Sequence, residues 1–222
     1  DYGEALPEIS GETTGEPGYT FNGWEIVGDA TINNNVFTMG AENTTIKAKW
    51  KIVTGTLTID YNDEGATPNK VYSDLAYLDE KEIEDPTRTG YEFTGWKVEG
   101  ENARLNNKTF TMGTKDSKLT ATWVANSYTY IVKHYKQTVD GTGYTLVEAD
   151  TEENEELYGK EITPETKKYE GFTAPEKITK KISTSDNLIE YKYKRNKHKL
   201  RIDPNGGEYK GSSSVVEEEL YY

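Results

Sequence analysis

The chain has 222 residues, of which 33% are hydrophobic and 12% aromatic, and it carries a formal charge of −13 with no cysteine. The absence of cysteine excludes disulfides, thiol chemistry and cysteine-type zinc sites, and the acidic balance disfavours binding to nucleic acid and anionic lipid. No apolar run approaches the roughly 18 residues that span a bilayer, so no membrane insertion is expected in this segment. The regularly spaced aromatic residues indicate small folded modules with thin cores rather than a disordered chain.

The first predicted element contains a heptapeptide that returns later in the chain. GYTFNGW at Gly18–Trp24 is followed 72 positions on by GYEFTGW at Gly90–Trp96. Alternate residues of a strand lie on the same face, so the Tyr and the Phe of each heptapeptide are expected to share one face. The second Gly of each heptapeptide predicts a bulge or tight bend, which turns the following Trp toward the core of its module.

A second motif and a closing strand follow each heptapeptide. Phe-Thr-Met-Gly occurs at Phe37–Gly40 and at Phe110–Gly113. Eleven positions separate each Met from the Trp that ends the next predicted strand, which is Trp50 in one copy and Trp123 in the other. Landmarks that recur in the same order predict a repeated structural module.

The repeat extends beyond these landmarks and predicts four segments. LTIDYNDEG begins at Leu57, and the similar LRIDPNGGE begins at Leu200. The separation of these two segments is close to twice the repeat length of 72 positions. Between them, YTYIVKHY and EYKYKR predict strands in a unit with different letters. We expect a partial repeat (1–51), a complete repeat (52–124), a divergent repeat (125–195) and the truncated opening of a further repeat (196–222).

The first and last segments are expected to be incomplete modules that begin and end at the same point of the repeat. Such half-modules would leave an unpaired sheet edge, which invites pairing with another strand. Head-to-tail self-association, in which the end of one chain supplies strands to the start of the next, is therefore an expectation.

Turn and helix signals complete the prediction of a mainly β fold with minor α structure, arranged as tandem small modules. The turn sequences are DPNGG at Asp203–Gly207 and VDGTG at Val139–Gly143, where Gly and Asn supply positive φ. The segment Ser73–Pro86 favours one or two helical turns after a Ser N-cap as strongly as it favours none.

Candidate catalytic or metal-binding groups are few. His134 and His198 both lie in strand-like stretches, without partners at the spacing that a metal site or a catalytic triad requires. Asp60–Gly65 begins like a calcium loop, but Val71 stands where the bidentate Glu is needed. We therefore predict no catalytic, cofactor-binding or metal-binding residue, and the ligand-binding residues are unknown.

Other polar features are weaker. The acidic run VEADTEENEE predicts a solvated loop, with a weak cation site as the alternative. Asn43 and Asn107 stand in Asn-x-Thr sequons, which matter only where such sites are glycosylated. No carboxylate pair is singled out for glycoside hydrolysis, and the sequence identifies no carboxylate beside a Lys–Asn pair for an isopeptide cross-link.

The recurrent aromatic residues allow two interpretations. Packing inside each module is favoured, because large rings bury the most area per residue. In the alternative, one Trp of each repeat, such as Trp24 or Trp96, is exposed as a stacking platform for sugar rings.

The order Gly-Tyr-x-Phe-x-Gly-Trp, Thr-Met and a strand ending in Trp resembles the Listeria–Bacteroides repeat, a relative of the internalin B-repeat. The resemblance covers residues 1–124 and, through LRIDPNGGEYKG, residues 196–222. The divergent repeat is similar to the repeats of mucin-binding proteins. These resemblances imply β-grasp-like modules in tandem on a bacterial cell-surface or secreted protein, with no catalytic residue and no cofactor.

Three functions are consistent with these features. The first is a non-catalytic, extracellular stalk or spacer with a role in adhesion. The second is a module that binds host glycoprotein, glycan or cell wall through exposed aromatic residues, above all those of residues 125–195. The third and most remote is an accessory region of a carbohydrate-active enzyme.

Overall fold

The computed structural model describes residues 15–34 and 36–222. These residues form strands and turns, with one turn of 3-10 helix at Glu148–Asp150 and no α-helix within the described part of the chain. The prediction of a mainly β fold is therefore confirmed, and the α component is reduced to this single turn.

The chain divides into two compact units. The first unit runs to Thr87 and resumes at Phe93–Trp123, and the second combines Arg88–Glu92 with Val124–Tyr222. The strands in the earlier half of the chain are β1 (Tyr19–Val27), β2 (Thr31–Asn33), β3 (Val36–Thr38), β4 (Thr45–Ile52), β5 (Thr54–Asp60), β6 (Lys70–Ala76), β7 (Glu80–Glu82), β8 (Tyr91–Glu99), β9 (Arg104–Asn106), β10 (Thr109–Thr111) and β11 (Ser117–Ala125). The later strands are β12 (Ser127–Gln137), β13 (Tyr144–Leu146), β14 (Glu152–Leu157), β15 (Glu161–Ile162), β16 (Phe172–Thr173), β17 (Lys180–Lys181), β18 (Leu188–Arg195), β19 (Lys197–Ile202) and β20 (Val216–Tyr221).

A four-stranded sheet in the order β6-β5-β11-β8 carries the core of the first unit. β5 and β11 are the first and last strands of the complete repeat along the chain, and they are parallel neighbours in this sheet. Leu57 lies opposite Ser117, and Ile59 lies opposite Leu119. This pairing brings together residues from both ends of the complete repeat. The buried core residues are Leu57, Ile59, Leu75, Ile83, Phe110, Met112 and Leu119.

The segment Ser73–Pro86 forms no helix, so the helical alternative is wrong. Its start belongs to β6, which pairs antiparallel with β5, and β7 follows after a turn. The Asp79 carboxylate accepts the Ala76 N–H at 2.8 Å and closes that turn. Strand pairing buries Leu75 to 6% exposure, a tertiary contact that overrides a weak local helical preference.

The first predicted repeat forms a separate sheet that corresponds to only half of the four-stranded sheet of the complete repeat. β1 pairs with β4 as β8 pairs with β11, and β2 and β3 form the hairpin that corresponds to β9 and β10. Among the described residues, β4 has no strand on its other edge, where β11 carries β5. Met39 and Ile46 are therefore only half-buried, whereas the equivalent Met112 and Leu119 are wholly buried.

The bend predicted in the heptapeptide is present. The register of β1 against β4 shifts between Phe21 and Trp24, and Gly23 between them has φ +89°. Gly95, at the matching position, has φ +132°. Both values lie in a region that residues with a side chain rarely adopt.

The second unit repeats the strand order with different letters. Its sheet runs β13-β12-β18-β16, with β14 also paired to β12, and β12 and β18 are parallel neighbours. The first and last strands of a repeat are thus parallel neighbours in both units, in agreement with a β-grasp-like sheet. The buried core residues of this sheet are Val132, Ile189, Tyr191 and Tyr193.

The acidic run that was expected to be a solvated loop is partly a strand. Its second half lies in β14, which pairs antiparallel with β12, with Glu152 opposite Val132. The loop prediction is therefore wrong for this half. Alternate carboxylates on an edge strand remain in water, so strand pairing does not require their desolvation.

The last two strands, β19 and β20, form an antiparallel pair with Lys197 opposite Tyr221. Within the described ranges, no strand lies along the other edge of β19. Leu200 on β19 is 43% exposed, whereas its counterpart Leu57 on β5 is wholly buried.

Both predicted turns are present. Asn205 and Gly206 have φ of 45° and 90°, and the Gly207 N–H donates to the Pro204 carbonyl at 2.9 Å. Two consecutive positive φ values are those of a tight Asn-Gly turn. The other turn, at Val139–Gly143, closes the β12–β13 hairpin.

A single residue links each predicted repeat to the next. Val53 stands between β4 and β5, Asn126 between β11 and β12, and Asn196 between β18 and β19. The four-segment division itself stays a prediction, since the chain clusters into two compact units.

We expect Leu119→Ala to lower the free energy of unfolding of the first unit by about 2–5 kcal/mol, because it leaves a cavity in a closed core. Ile46→Ala, at the matching position of the first repeat, should cost less than half as much because Ile46 is only half-buried. Urea titration followed by tryptophan fluorescence measures both values. Equal costs would mean that the two cores are equally complete.

Candidate functional site

The recurrent rings of the complete repeat pack against the core. The Phe93 ring meets Trp96 and Trp123 edge-on, with centroids 5.4 Å apart in both pairs. Trp96 also lies against the buried core and 6.1 Å from Tyr61. The Trp123 indole N–H donates to the Tyr61 carbonyl at 2.9 Å. These rings hold β5, β8 and β11 together.

The first repeat forms the same ring cluster with less cover. Phe21 meets Trp24 at 5.1 Å and Trp50 at 5.9 Å, again edge-on. Phe21 is 40% and Trp50 37% exposed, whereas Phe93 and Trp123 are half-buried. Trp24 and Trp96 belong to separate sheets, so the two heptapeptides do not line a common cleft.

An open groove beside the second cluster combines rings with carboxylates. It is lined by Tyr61, Asp63, Thr67, Glu84, Asp85, Pro86, Thr87 and Trp123. Lys108 pairs with two of these carboxylates, at 3.2 Å from Asp85 and 3.7 Å from Glu84. The hydrogen bond that Lys108 donates to Asp85 raises the pKa of Lys108. An aromatic floor with polar groups at its rim suits a ligand that has both an apolar face and hydroxyl groups.

The stretch Asp60–Gly65, which begins like a calcium loop, is held by hydrogen bonds and an ion pair. The Asp60 carboxylate accepts the Asn62 N–H at 2.9 Å and lies 2.7 Å from the Lys118 ammonium. The bond to Lys118 lowers the pKa of Asp60. In the part of the chain that the structure describes, no three metal-ligating side chains come together.

The second unit contains a buried polar cluster around His134, which is wholly buried. Its Nδ1 lies 2.9 Å from the Tyr193 hydroxyl, and the Lys167 N–H donates to that same oxygen at 2.6 Å. The Tyr193 hydroxyl therefore bridges the His134 ring and the backbone of Lys167. Nε2 has no hydrogen-bond partner among the described residues.

Charged groups surround this cluster on neighbouring elements. The Tyr169 hydroxyl donates to Asp150 at 2.5 Å, and burial together with this bond raises the pKa of Tyr169. Lys136 lies 4.0 Å above the Tyr169 ring, and Lys167 pairs with Glu152 at 2.5 Å. Ring packing and paired charges close the cluster, so it stabilises the fold and offers no open reactive group.

The two histidines are not brought together. His198 is exposed on β19, with its ring 6.1 Å from that of Tyr222. The inward position of His134 could have been inferred from strand alternation, because it stands two residues from the apolar Val132. The groove beside Trp123 carried no such signal, since its residues are far apart in sequence.

Burial lowers the pKa of His134, with a further contribution from the positive charge of Lys167. The unfolded chain therefore binds a proton at this residue more readily than the folded chain does. The resulting stability is fully present above about pH 6.5, and it is lost as the pH falls from there toward the folded pKa.

We expect the free energy of unfolding of the second unit to fall as the pH is lowered below about 6.5, before the carboxylates titrate. His134→Gln should flatten this dependence, whereas His198→Gln, at an exposed position, should preserve it. Denaturant titrations across the pH range measure the slope. An unchanged slope in His134→Gln would assign the pH dependence to other groups.

Comparison with known proteins matches two stretches of the chain to one repeat family. Residues 8–54 and 85–127 match the family described as the divergent InlB B-repeat domain. Each stretch contains a heptapeptide and a Phe-Thr-Met-Gly motif, so the resemblance to B-repeats is confirmed there. The likeness of residues 125–195 to mucin-binding repeats stays a prediction.

The chain is also similar to individual proteins and solved structures. A protein of Evansella cellulosilytica described as a Gly-rich membrane protein is 28% identical over 92% of this chain, which spans 25% of that protein. The Bacillus anthracis TIE protein superposes with a TM-score of 0.33 at 13% identity, over 92% of this chain and 51% of that chain. Streptococcal High Identity Repeats in Tandem (SHIRT) domains 3–4 from a cell surface protein superpose with a TM-score of 0.26 at 16% identity. The superposition covers 65% of this chain and 98% of that chain.

None of the described residues forms a helix of the length and hydrophobicity that a membrane span requires.

Proposed function

We propose that the chain is a non-catalytic stalk or spacer segment of an extracellular bacterial protein, either secreted or held at the cell surface. The main support is that the same Phe–Trp–Trp cluster is built in two successive repeats. In the complete repeat it serves to hold the sheet together. Because the aromatic residues of the heptapeptide are needed for packing in each repeat, the heptapeptide recurs although its two copies do not form a shared site.

Serial modules of this kind lengthen the protein without requiring a larger core, because each module packs mainly on itself and on its neighbours. Each buried cluster is small and separate, as the core around Leu57 and the core around Tyr191 illustrate. The formal charge of −13 favours solubility and disfavours non-specific aggregation. Both properties suit a segment that holds another domain away from the cell wall.

The spacer proposal predicts that length, and not surface chemistry, determines its effect. Two tandem copies of the full chain between a wall anchor and a fluorescent reporter should place the reporter farther from the cell surface than one copy does. Super-resolution imaging measures the displacement. A reporter at equal height for one and two copies contradicts the spacer role.

A second candidate is glycan binding in the groove beside Trp123, favoured by its combination of rings and carboxylates. The rim carboxylates Glu84 and Asp85 are exposed and would accept hydrogen bonds from sugar hydroxyls. The Trp123 ring would offer an apolar face to the sugar.

A glycan array probed with the full chain tests this candidate. Binding in the groove should weaken by about tenfold or more in the double variant Glu84→Gln, Asp85→Asn, because charge-assisted hydrogen bonds are lost. Glu165→Gln is the matched control, since Glu165 is exposed and pairs with Lys177, and neither residue lines the groove. No binding, or equal loss in the control, removes the groove as a site.

A third proposal concerns the edges of β4 and β19 along which no described strand lies, each of which would take the complementary half of a like repeat. In a preparation of this polypeptide alone, that half comes from a second copy. The register of β5 against β11, transferred to these strands, puts Ile202 opposite Ile46 and Asp203 opposite Lys47. Apolar contact and opposite charges would both favour this parallel pairing.

Sedimentation equilibrium tests the pairing. The average mass of the chain should rise with concentration, and Leu200→Asp should abolish the rise by charging this apolar edge. Val139→Asp is the control, since Val139 is 67% exposed in a turn of the same unit. A mass that stays monomeric at every concentration excludes the pairing.

A further inference from the structure

The first unit contains a compact joint where one predicted repeat passes into the next. The linking residue, Val53, donates its N–H to the Gly18 carbonyl at 2.8 Å. Its own carbonyl accepts the Tyr77 N–H at 3.0 Å. The ring of Tyr77 covers the Cα face of Gly18. Both backbone polar groups of the linking residue are thus used, one toward the earlier repeat and one toward the later.

The same three parts meet again in the second unit. Asn126 donates its N–H to the Gly90 carbonyl at 2.9 Å and accepts the Tyr158 N–H at 2.9 Å. The Tyr158 ring covers the Cα face of Gly90. It is flanked edge-on by Tyr91 at 5.6 Å and Tyr128 at 6.1 Å.

A third instance involves the last residue of the chain. Asn196 donates its N–H to the Gly171 carbonyl at 2.8 Å and accepts the Tyr222 N–H at 2.9 Å. The Tyr222 ring covers the Cα face of Gly171. The joint therefore recurs although the linking residue changes from Val to Asn and the repeats have diverged in sequence.

Glycine is required in this joint for two separate reasons. Gly18, Gly90 and Gly171 have φ of +85°, +79° and +75°, which other residues rarely adopt. A Cβ at any of the three would overlap the tyrosine ring that covers it. Positive φ alone does not produce this second constraint, because a Cβ at Gly65, with φ +84°, or at Gly206, with φ +90°, would meet nothing within 4 Å.

We propose that this glycine–tyrosine joint is the interface by which one repeat binds the next. The glycine face of each repeat accepts the tyrosine of the next repeat that follows the strand paired antiparallel with that repeat's first strand. This assignment goes beyond a spacer role, because it names the contact surface and the partner that fits it. The partner is a following repeat with an aromatic ring at that position.

The geometry makes the interface both short and directional. A one-residue linker with both polar groups bonded has little remaining backbone freedom. The glycine always belongs to the earlier repeat and the tyrosine to the later one, so repeats join head to tail in one direction. The contacts that recur in all three joints are made by the backbone of the linking residue, which explains why both Val and Asn serve. The Asn196 side chain additionally accepts a hydrogen bond from the Thr173 hydroxyl at 2.7 Å.

Spin labels test the joint in the full chain, where the absence of native cysteine makes introduced ones unique. Val27 on β1 and Val71 on β6 are 50% and 56% exposed and lie on opposite sides of the first joint. Cysteines there should give one narrow distance distribution by pulsed electron resonance. Gly18→Ala and Tyr77→Ala should both broaden it.

Matched variants separate the joint from general strain. Gly65→Ala introduces a side chain at nearly the same positive φ without a ring above it and should keep the distribution narrow. Tyr77→Phe retains the ring and should behave as the native chain does. A narrow distribution in both Gly18→Ala and Tyr77→Ala, or equal broadening in Gly65→Ala, overturns the proposal.

Hydrogen exchange provides a second test in the other unit. Gly171→Ala should speed exchange of the Asn196 amide by about tenfold or more, as expected for loss of a protecting local contact. Gly206→Ala is the control and should leave that rate unchanged. Equal rates in the two variants contradict the joint.

The outcome is independent of the spacer proposal. A fixed joint in a chain that does not raise a reporter would leave the interface intact and remove the stalk role. A reporter raised by repeats that swing freely would do the reverse.

Discussion

Both main sheets depend on one contact between distant parts of the chain, the parallel pairing of the first and last strands of a repeat. β5 lies beside β11 in the first unit, and β12 lies beside β18 in the second. This pairing closes a long loop, which has an entropic cost. Burial of the residues that the two strands bring together offsets this cost. Where the described part of a repeat lacks one of the two strands, the equivalent apolar residues are exposed, as Leu200 is.

The local amino-acid sequence was sufficient to predict the repeat, the glycine bend and the turns, because each depends on residues close in sequence. The helix considered at Ser73–Pro86 failed because the competing structure, pairing with β5, is not local. The glycine–tyrosine joint left only a faint sequence signal, a Gly before an aromatic residue at Gly18, Gly90 and Gly171. Its third part is a backbone contact of the linking residue, which both Val and Asn make.

The candidate sites show a similar division. Strand alternation from Val132 is enough to turn His134 inward, but its partner Tyr193 comes from a strand at the far end of the repeat. The groove beside Trp123 likewise needs the fold, since it joins residues that follow β5, precede β8 and end β11. Recurrence in the sequence marked packing positions, among them Trp123 beside the groove, whereas the residues of the buried polar cluster around His134 do not recur.

Parallel pairing of the terminal strands has a mechanical consequence. In a parallel pair, the start of the first strand and the end of the last strand lie at opposite ends of the ladder. Tension applied through the links at Asn126 and Asn196 would load β12 against β18 in shear, so that all six residue pairs between Ile131 and Lys136 resist at once. An antiparallel hairpin such as β19–β20, pulled from its open end, would instead yield one pair at a time. The repeat is thereby suited to bear load along the chain.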